Sequence, residues 1–282
     1  MAKLLLGKEV TAALNERIKG KVEKLNEKGI SPKLAFVRVG ERPDDLSYER
    51  GAAKRCETLG VTYEKFVLDA QCTQDELMAT IERLNHDDDI HGILMFRPLP
   101  KHLDEDAVVA TMAPEKDVDG ITAGSMAGVF MGTDEGFPPC TPQACMEILD
   151  YYGIDCTGKK AVVVGRSLVV GKPAAMMLLK KNATVTVCHT RTKDMPSVVK
   201  EADIVIVAVG RPGVVDGSYL SEGQIVIDVG INVNEEGKLC GDVLFDEAEP
   251  IVDMITPVPG GVGSVTTSVL VGHVVEAAMR KL

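Results

Sequence analysis

The stretch VVVGRSLVVGKP, residues 162–173, decides how this 282-residue chain folds. Valines run into Gly165, a polar turn follows, and Gly171 opens a segment of helical composition. A strand that ends in a glycine turn and feeds a helix brings backbone N–H groups to a single point. Such a point can hold a phosphate. The spacing is not the usual G-x-G-x-x-G, and glycine also ends many plain strands, so the turn needs independent support.

That support comes from the surrounding rhythm. The runs 159–165, 183–188, 203–210 and 223–230 are rich in Val and Ile, the type buried on both faces of a parallel sheet. A glycine follows most of them directly, where ligand-binding turns lie in doubly wound sheets. Upstream, 33–40, 61–68 and 92–96 read as strands, separated by helical stretches at 46–58 and 73–85. The second of these opens with Thr73 as N-cap and Glu76 placed to close a capping box. This alternation predicts an α/β protein with mainly parallel sheets covered by helices. Residues 98–142 read as loop-rich. The apolar spacing of Val269, Leu270, Val274, Ala277 and Ala278 predicts a final helix. Two domains are expected: 1–141, and a Rossmann-type domain at 142–265, with the helix at 266–282 packing back on the first.

Composition narrows the function classes. A net charge of −11 argues against nucleic acid or an anionic membrane as partner. No apolar run approaches the roughly 20 residues of a membrane helix, and Gly7 and Lys8 interrupt the N-terminal leucines before a signal-peptide core forms. Seven cysteines without CxxC pairs, and five histidines, read as free thiols with no metal site. A cytoplasmic location is expected.

The second strand of the later series points to the ligand. NAD-preferring units carry an acid about 20 residues after the glycine turn, which binds the ribose 2′-hydroxyl. Here the strand runs into CHTRT, with no acid. Thr190 offers a hydroxyl and Arg191 a guanidinium, and Arg166 approaches from the first turn. These groups suit a 2′-phosphate, so NADP is favoured over NAD. His189 reads as a solvated loop residue.

The strings PEKDVDGI, PPCTPQA, VVVGRSLVVGKP, VIDVGIN, GDV and ITPVPGGVG stand in one order over nearly the whole chain. Together they resemble the 5,10-methylenetetrahydrofolate dehydrogenase/cyclohydrolase family. The resemblance implies an N-terminal α/β folate domain, a C-terminal Rossmann-type NADP domain, a cleft between them, and a homodimer acting on tetrahydrofolate one-carbon derivatives. It also implies cofactor contacts at Gly165, Arg166, Ser167, Thr190 and Ile231. Tyr48 and Asp119 would line the folate side. The loop holding Pro257, Pro259, Gly260 and Gly261 would close over the substrate.

The residue chemistry fits that ligand. A carboxylate at Asp119 accepts the paired N–H donors of a pterin edge, with Asp117 orienting its loop. The bland alternative is a pair of Asx-turns before Gly120. Tyr48 offers a ring to stack on the pterin; otherwise it is a half-buried packing residue.

The chain departs from the family at two places. The lysine that resembling sequences carry four residues after the tyrosine is Ala52 here, and Phe96 stands at their glutamine, followed by Arg97. Hydride transfer requires alignment but removes no proton, whereas hydrolysis of the methenyl product requires general acid–base work. The expectation is an NADP-dependent dehydrogenase with weak or absent cyclohydrolase activity, in which Tyr48 and Asp119 carry the chemistry. The alternatives are a full bifunctional enzyme using Tyr48, Lys54 or ordered water, a non-catalytic folate or nucleotide sensor, and an enzyme for another one-carbon folate.

Overall fold

A computed structural model describes residues 1–282. In chain order the first half comprises β1 (Lys3–Leu4), α1 (Gly7–Glu27), β2 (Lys33–Val39), α2 (Pro43–Leu59), β3 (Thr62–Leu68), α3 (Gln74–Asn85), β4 (Gly92–Met95), α4 (Glu105–Thr111), α5 (Ala123–Met131) and α6 (Cys140–Tyr151). The second half comprises β5 (Lys160–Val164), α7 (Gly171–Lys180), β6 (Thr184–Cys188), α8 (Met195–Lys200), β7 (Ile204–Val207), β8 (Ile225–Asp228), β9 (Asn232–Val233), β10 (Leu239–Cys240), α9 (Phe245–Ala248), β11 (Met254–Ile255) and α10 (Thr266–Met279). The chain divides into two compact units. One holds Leu14–Cys140 with Thr267–Leu282, the other Met1–Ala13 with Thr141–Thr266.

The first unit is built on a three-stranded parallel sheet, β3-β2-β4. Side chains alternate along β2. Ala35, Val37 and Val39 pack with Leu77, Ile81, Leu84, Val108 and Met112 into one buried core. On the other face Phe36 meets Phe96 and Tyr63, and Arg38 reaches Glu49 of α2 at 3.0 Å. That α2 face is buried through Glu49, Ala52, Ala53 and Cys56. Helix α3 starts at Thr73, whose hydroxyl accepts the Glu76 N–H while the Glu76 carboxylate accepts the Thr73 N–H, a complete capping box.

The second unit carries a six-stranded parallel sheet in the order β1-β11-β8-β7-β5-β6. After β5 the chain crosses to β6 on one side. From β6 it returns to β7 on the other, so the strand order reverses at β5. Ligands of open parallel sheets bind at such a point, outside the carboxyl ends of the strands. Val162, Val164, Val205, Val207, Val226 and Ile255 share the core beneath it.

Several expectations need correction. Residues 1–13 do not belong to the first unit: β1 pairs in parallel with β11, and Ala2 is buried in the core of the larger sheet. The run 183–188 is not buried on both faces, because β6 is an edge strand with most side chains exposed. The stretch 98–142 is loop-rich, as expected, but not loop alone. It holds α4, capped by Asp104, and α5, capped by Thr122. The glycines of α5 serve packing: a Cβ on Gly128 would collide with the Glu135 carbonyl.

Candidate active site

In the first unit, Tyr48 lies on α2, inside the helix and not at its start, because Pro43 opens α2 at its first turn. Ala52 follows one turn later and is fully buried at 0% exposure. Phe96, just past β4, is 6% exposed, and its ring meets Tyr48 edge to face. Tyr48 keeps 37% of its surface exposed. Burial, with Cys140 and Asp119 nearby, nonetheless pushes its phenol well above the ordinary value. Lys54 is exposed. Arg97 pairs with Glu105 at 3.1 Å, and the peptide between Arg97 and Pro98 is cis.

The DVDG turn separates the work of its two aspartates. Asp117 is fully buried, and its carboxylate accepts the N–H groups of Ile121 and Thr122 at 3.0 and 2.7 Å. It is the turn-former. Asp119 does not share those bonds; its carboxyl lies near the Cys140 thiol. Burial raises the Asp119 carboxyl to about 6; the Asp117 charge adds to this, while Cys140 and Arg97 oppose it. The thiol itself is pushed well above its usual range by the same burial.

Two further side chains fix this turn. Cys140 Sγ donates to the Val118 carbonyl at 3.4 Å, and His273 Nδ1 lies 2.8 Å from the same oxygen. A carbonyl only accepts, so Nδ1 must carry the proton. Burial lowers His273 to about 4 and keeps it neutral. Its ring stacks on Phe137, with centroids 5.0 Å apart.

In the second unit, Gly165 closes β5 with φ +136°, and a Cβ there would strike the Ala208 carbonyl at the end of β7. Only glycine permits that approach. Arg166 and Ser167 follow on the exposed turn. The Ser167 hydroxyl accepts the Val170 N–H at 3.1 Å at the start of α7. Thr190 and Arg191 are exposed in the turn after β6, where the Arg191 N–H donates to His189 Nδ1 at 3.1 Å. His189 thus has a local turn role. Ile231 follows β8 and is 65% exposed.

The loop after β11 carries Pro257, Pro259, Gly260 and Gly261. Its Val258–Pro259 peptide is cis and Gly260 has φ +105°. The N-terminus of α1 pins it: the Gly7 N–H donates to the Gly260 carbonyl at 2.8 Å, and Thr11 Oγ1 to the Ser264 carbonyl at 3.0 Å.

Residues 5–119 match the catalytic domain of tetrahydrofolate dehydrogenase/cyclohydrolase, and residues 139–282 match the NAD(P)-binding domain of the same enzymes. The chain belongs to the tetrahydrofolate dehydrogenase/cyclohydrolase family. It is 57% identical to the bifunctional protein FolD of Carboxydothermus hydrogenoformans, over 98% of this chain and 97% of that protein. Among solved structures, FolD of Campylobacter jejuni aligns with a TM-score of 0.96 at 42% identity, covering 100% of both chains. The Trypanosoma brucei enzyme, solved with NADP and an inhibitor, aligns with a TM-score of 0.91 at 35% identity, over 99% and 98% of the two chains.

Several buried polar residues near these positions had no role assigned from the sequence. Cys140 and His273 converge on Val118 from distant segments. Asp228 and Asp242 lie in VIDVGIN and GDV, strings in which only Ile231 had an assigned contact. No helix is long and apolar enough to cross a membrane, and all seven cysteines are unpaired.

Proposed function

We propose that this chain oxidises 5,10-methylenetetrahydrofolate to the 5,10-methenyl cation with NADP⁺ as hydride acceptor, and that it hydrolyses that cation weakly or not at all. The methylene carbon loses a hydride to the nicotinamide, and the resulting charge spreads over the two flanking folate nitrogens. No proton leaves, so the protein has only to align the two carbons about 3–3.5 Å apart. Asp119 accepts the pterin N–H pair and the Tyr48 ring stacks on the pterin. Arg166, Arg191 and Thr190 take the 2′-phosphate of the dinucleotide, the Gly165 turn and Ser167 its pyrophosphate, and Ile231 the nicotinamide end. The loop at Pro257, Pro259, Gly260 and Gly261 covers the substrate.

The observation that carries the second half of the proposal is the apolar pair at Ala52 and Phe96. Hydrolysis needs a proton taken from water and one given to the departing nitrogen, typically worth 10²–10⁴-fold. Ala52 and Phe96 transfer none. Arg97 is paired with Glu105, and a guanidinium is a poor base. Lys54 is turned to solvent, which weakens the case for it as a substitute.

A second reading, the full bifunctional enzyme, is favoured by the name of the 57% identical relative. The Tyr48 hydroxyl, near Asp119, would then carry the proton. A non-catalytic sensor has no comparable support. With methylenetetrahydrofolate and NADP⁺, the methenyl product should accumulate and decay at its buffer-only rate. Hydrolysis of added methenyltetrahydrofolate at a rate comparable to dehydrogenase turnover would establish the bifunctional reading. No NADP⁺ reduction at all would leave the sensor.

A further inference from the structure

Two buried carboxylates tie together three loops at the carboxyl ends of the larger sheet. Asp242 is 0% exposed. Its Oδ2 accepts the N–H groups of Val209 and Gly210 at 2.6 and 2.9 Å, and its Oδ1 accepts the Arg211 N–H and Asn232 Nδ2, both at 2.9 Å. Asp228, the last residue of β8, lies behind it at 4% exposure. Its carboxylate accepts the N–H groups of Gly230, Asp242 and Val243 at 2.9, 3.0 and 3.0 Å. The Asp228 N–H donates to Thr256 Oγ1 at 2.7 Å, which brings in the residue before Pro257.

This cluster is built and not incidental. Carboxylates are almost never fully buried unless paired, and here backbone N–H groups fill the role of a cation. The surrounding chain makes room for them: a Cβ on Gly230 would collide with Asp242, and one on Gly241 with Asp228.

Its position gives it a purpose. In a doubly wound sheet the adenosine ribose lies at the end of the second strand, here β6, and the pyrophosphate at the first turn, here Gly165. The nicotinamide half therefore extends over β7 and β8. The loops after those strands, 208–211 and 229–232, are the ones that Asp242 holds, and they include Ile231.

We propose that Asp242, backed by Asp228, is a positioning residue that fixes these loops around the nicotinamide end of the cofactor. The inference rests on the dinucleotide reading above and deepens it. Asp242 touches no reacting atom; it acts through the 209–211 backbone and through Asn232. Its loss should therefore disturb the reacting end of the cofactor and leave the adenosine end unchanged.

The test uses the full chain. Asp242→Asn keeps the shape but turns an amide N–H toward backbone N–H groups. Binding of 2′,5′-ADP, which samples only the adenosine end, is measured by calorimetry beside kcat and the KM for NADP⁺. The variant should bind 2′,5′-ADP within about twofold of wild type, as expected for independent sites. Its kcat should fall about 10–100-fold, the scale of a misplacement near 1 Å. Unchanged kcat, or equal losses in kcat and 2′,5′-ADP binding, would overturn the proposal. If Asp242→Asn does not fold, Asn232→Ala removes a single bond to Asp242 beside Ile231. It should lower kcat with 2′,5′-ADP binding intact, and wild-type kcat in that variant overturns the proposal equally. A wild-type protein that binds no 2′,5′-ADP and reduces no NADP⁺ would instead remove the dinucleotide reading, and this inference with it.

Discussion

Tyr48 and Phe96 meet edge to face, with ring centroids 6.2 Å apart and planes at 78°. Phe96 lies 6.1 Å from Phe36, and Phe36 lies 5.4 Å from Tyr63, so a chain of rings runs from the sheet out to Tyr48. Where resembling sequences place a glutamine, this protein has a ring that supports its tyrosine by packing. Phe96→Ala should cost about 3–5 kcal/mol of stability, the usual range for emptying an aromatic site. It should also raise the KM for methylenetetrahydrofolate, because Tyr48 loses its backing. Denaturant unfolding and steady-state kinetics check the two effects separately. An unchanged KM in a folded Phe96→Ala protein would disconnect Tyr48 from substrate binding.

Cofactor choice should depend on Arg166 and Arg191. A charge-assisted hydrogen bond contributes about 1.5–3 kcal/mol, so Arg191→Ala should reduce kcat/KM for NADP by roughly 10–150-fold. The value for NAD, which has no 2′-phosphate, should stay nearly constant. Arg166→Ala should act in the same direction, and side-by-side kinetics with both cofactors provide the measurement. A wild-type preference for NAD, or an equal loss for both cofactors, would contradict the 2′-phosphate assignment.

Both parallel sheets were legible because their evidence is local: Val/Ile runs that stop at a glycine, and Thr73 with Glu76 in one helical turn. The register of β1 was not, because Lys3 pairs with Met254 and nothing near residue 3 announces a partner so far along the chain. Helix α5 was hidden by glycines that serve close packing, a use that composition cannot separate from a turn. The edge position of β6 was equally invisible, since exposure depends on which strands lie beside it. Asp117 and Asp119 stood together in the sequence, and the loop-orienting role of Asp117 was readable from carboxylate chemistry. Asp228, Asp242, Cys140 and His273 act through backbone groups contributed by distant segments, so their roles emerged only with the fold.

Gly7 offers a test of the 257–261 loop that leaves the loop sequence unaltered. A Cβ at position 7 would collide with the Gly261 carbonyl and Ser264 Oγ, while the backbone of Gly7 needs no unusual φ. Gly7→Ala should therefore act sterically, costing about 1–3 kcal/mol as overpacking does and raising the KM for folate by displacing the loop. Gly20, also in α1, is the control: nothing lies within 4 Å of its Cβ position. Gly20→Ala should be neutral or stabilising by up to about 1 kcal/mol. Thermal unfolding with folate kinetics on both variants separates loop displacement from a general effect on the helix.

The last expectation concerns pH. Burial raises Asp119 to about 6, and the carboxylate must be ionised to accept the pterin N–H pair. Folate kcat/KM should therefore level off above pH 6 and fall about tenfold per pH unit below it, the slope of a single titration. Stability follows the opposite sign. An unfolded aspartate titrates near 3.9, so between about 4 and 6 the folded protein holds the proton that the unfolded chain has released. The Asp119 contribution is fully present below the unfolded value and is lost as pH rises through the folded one. Asp228 is also raised to about 6 by its burial, so the wild-type profile alone does not assign the group. Asp119→Asn does, because Asp228 still titrates in that variant. Its residual folate turnover should be low and should lose the break near pH 6. A break that persists in Asp119→Asn, or a wild-type kcat/KM that stays flat down to pH 5, would return Asp119 to a turn-forming residue.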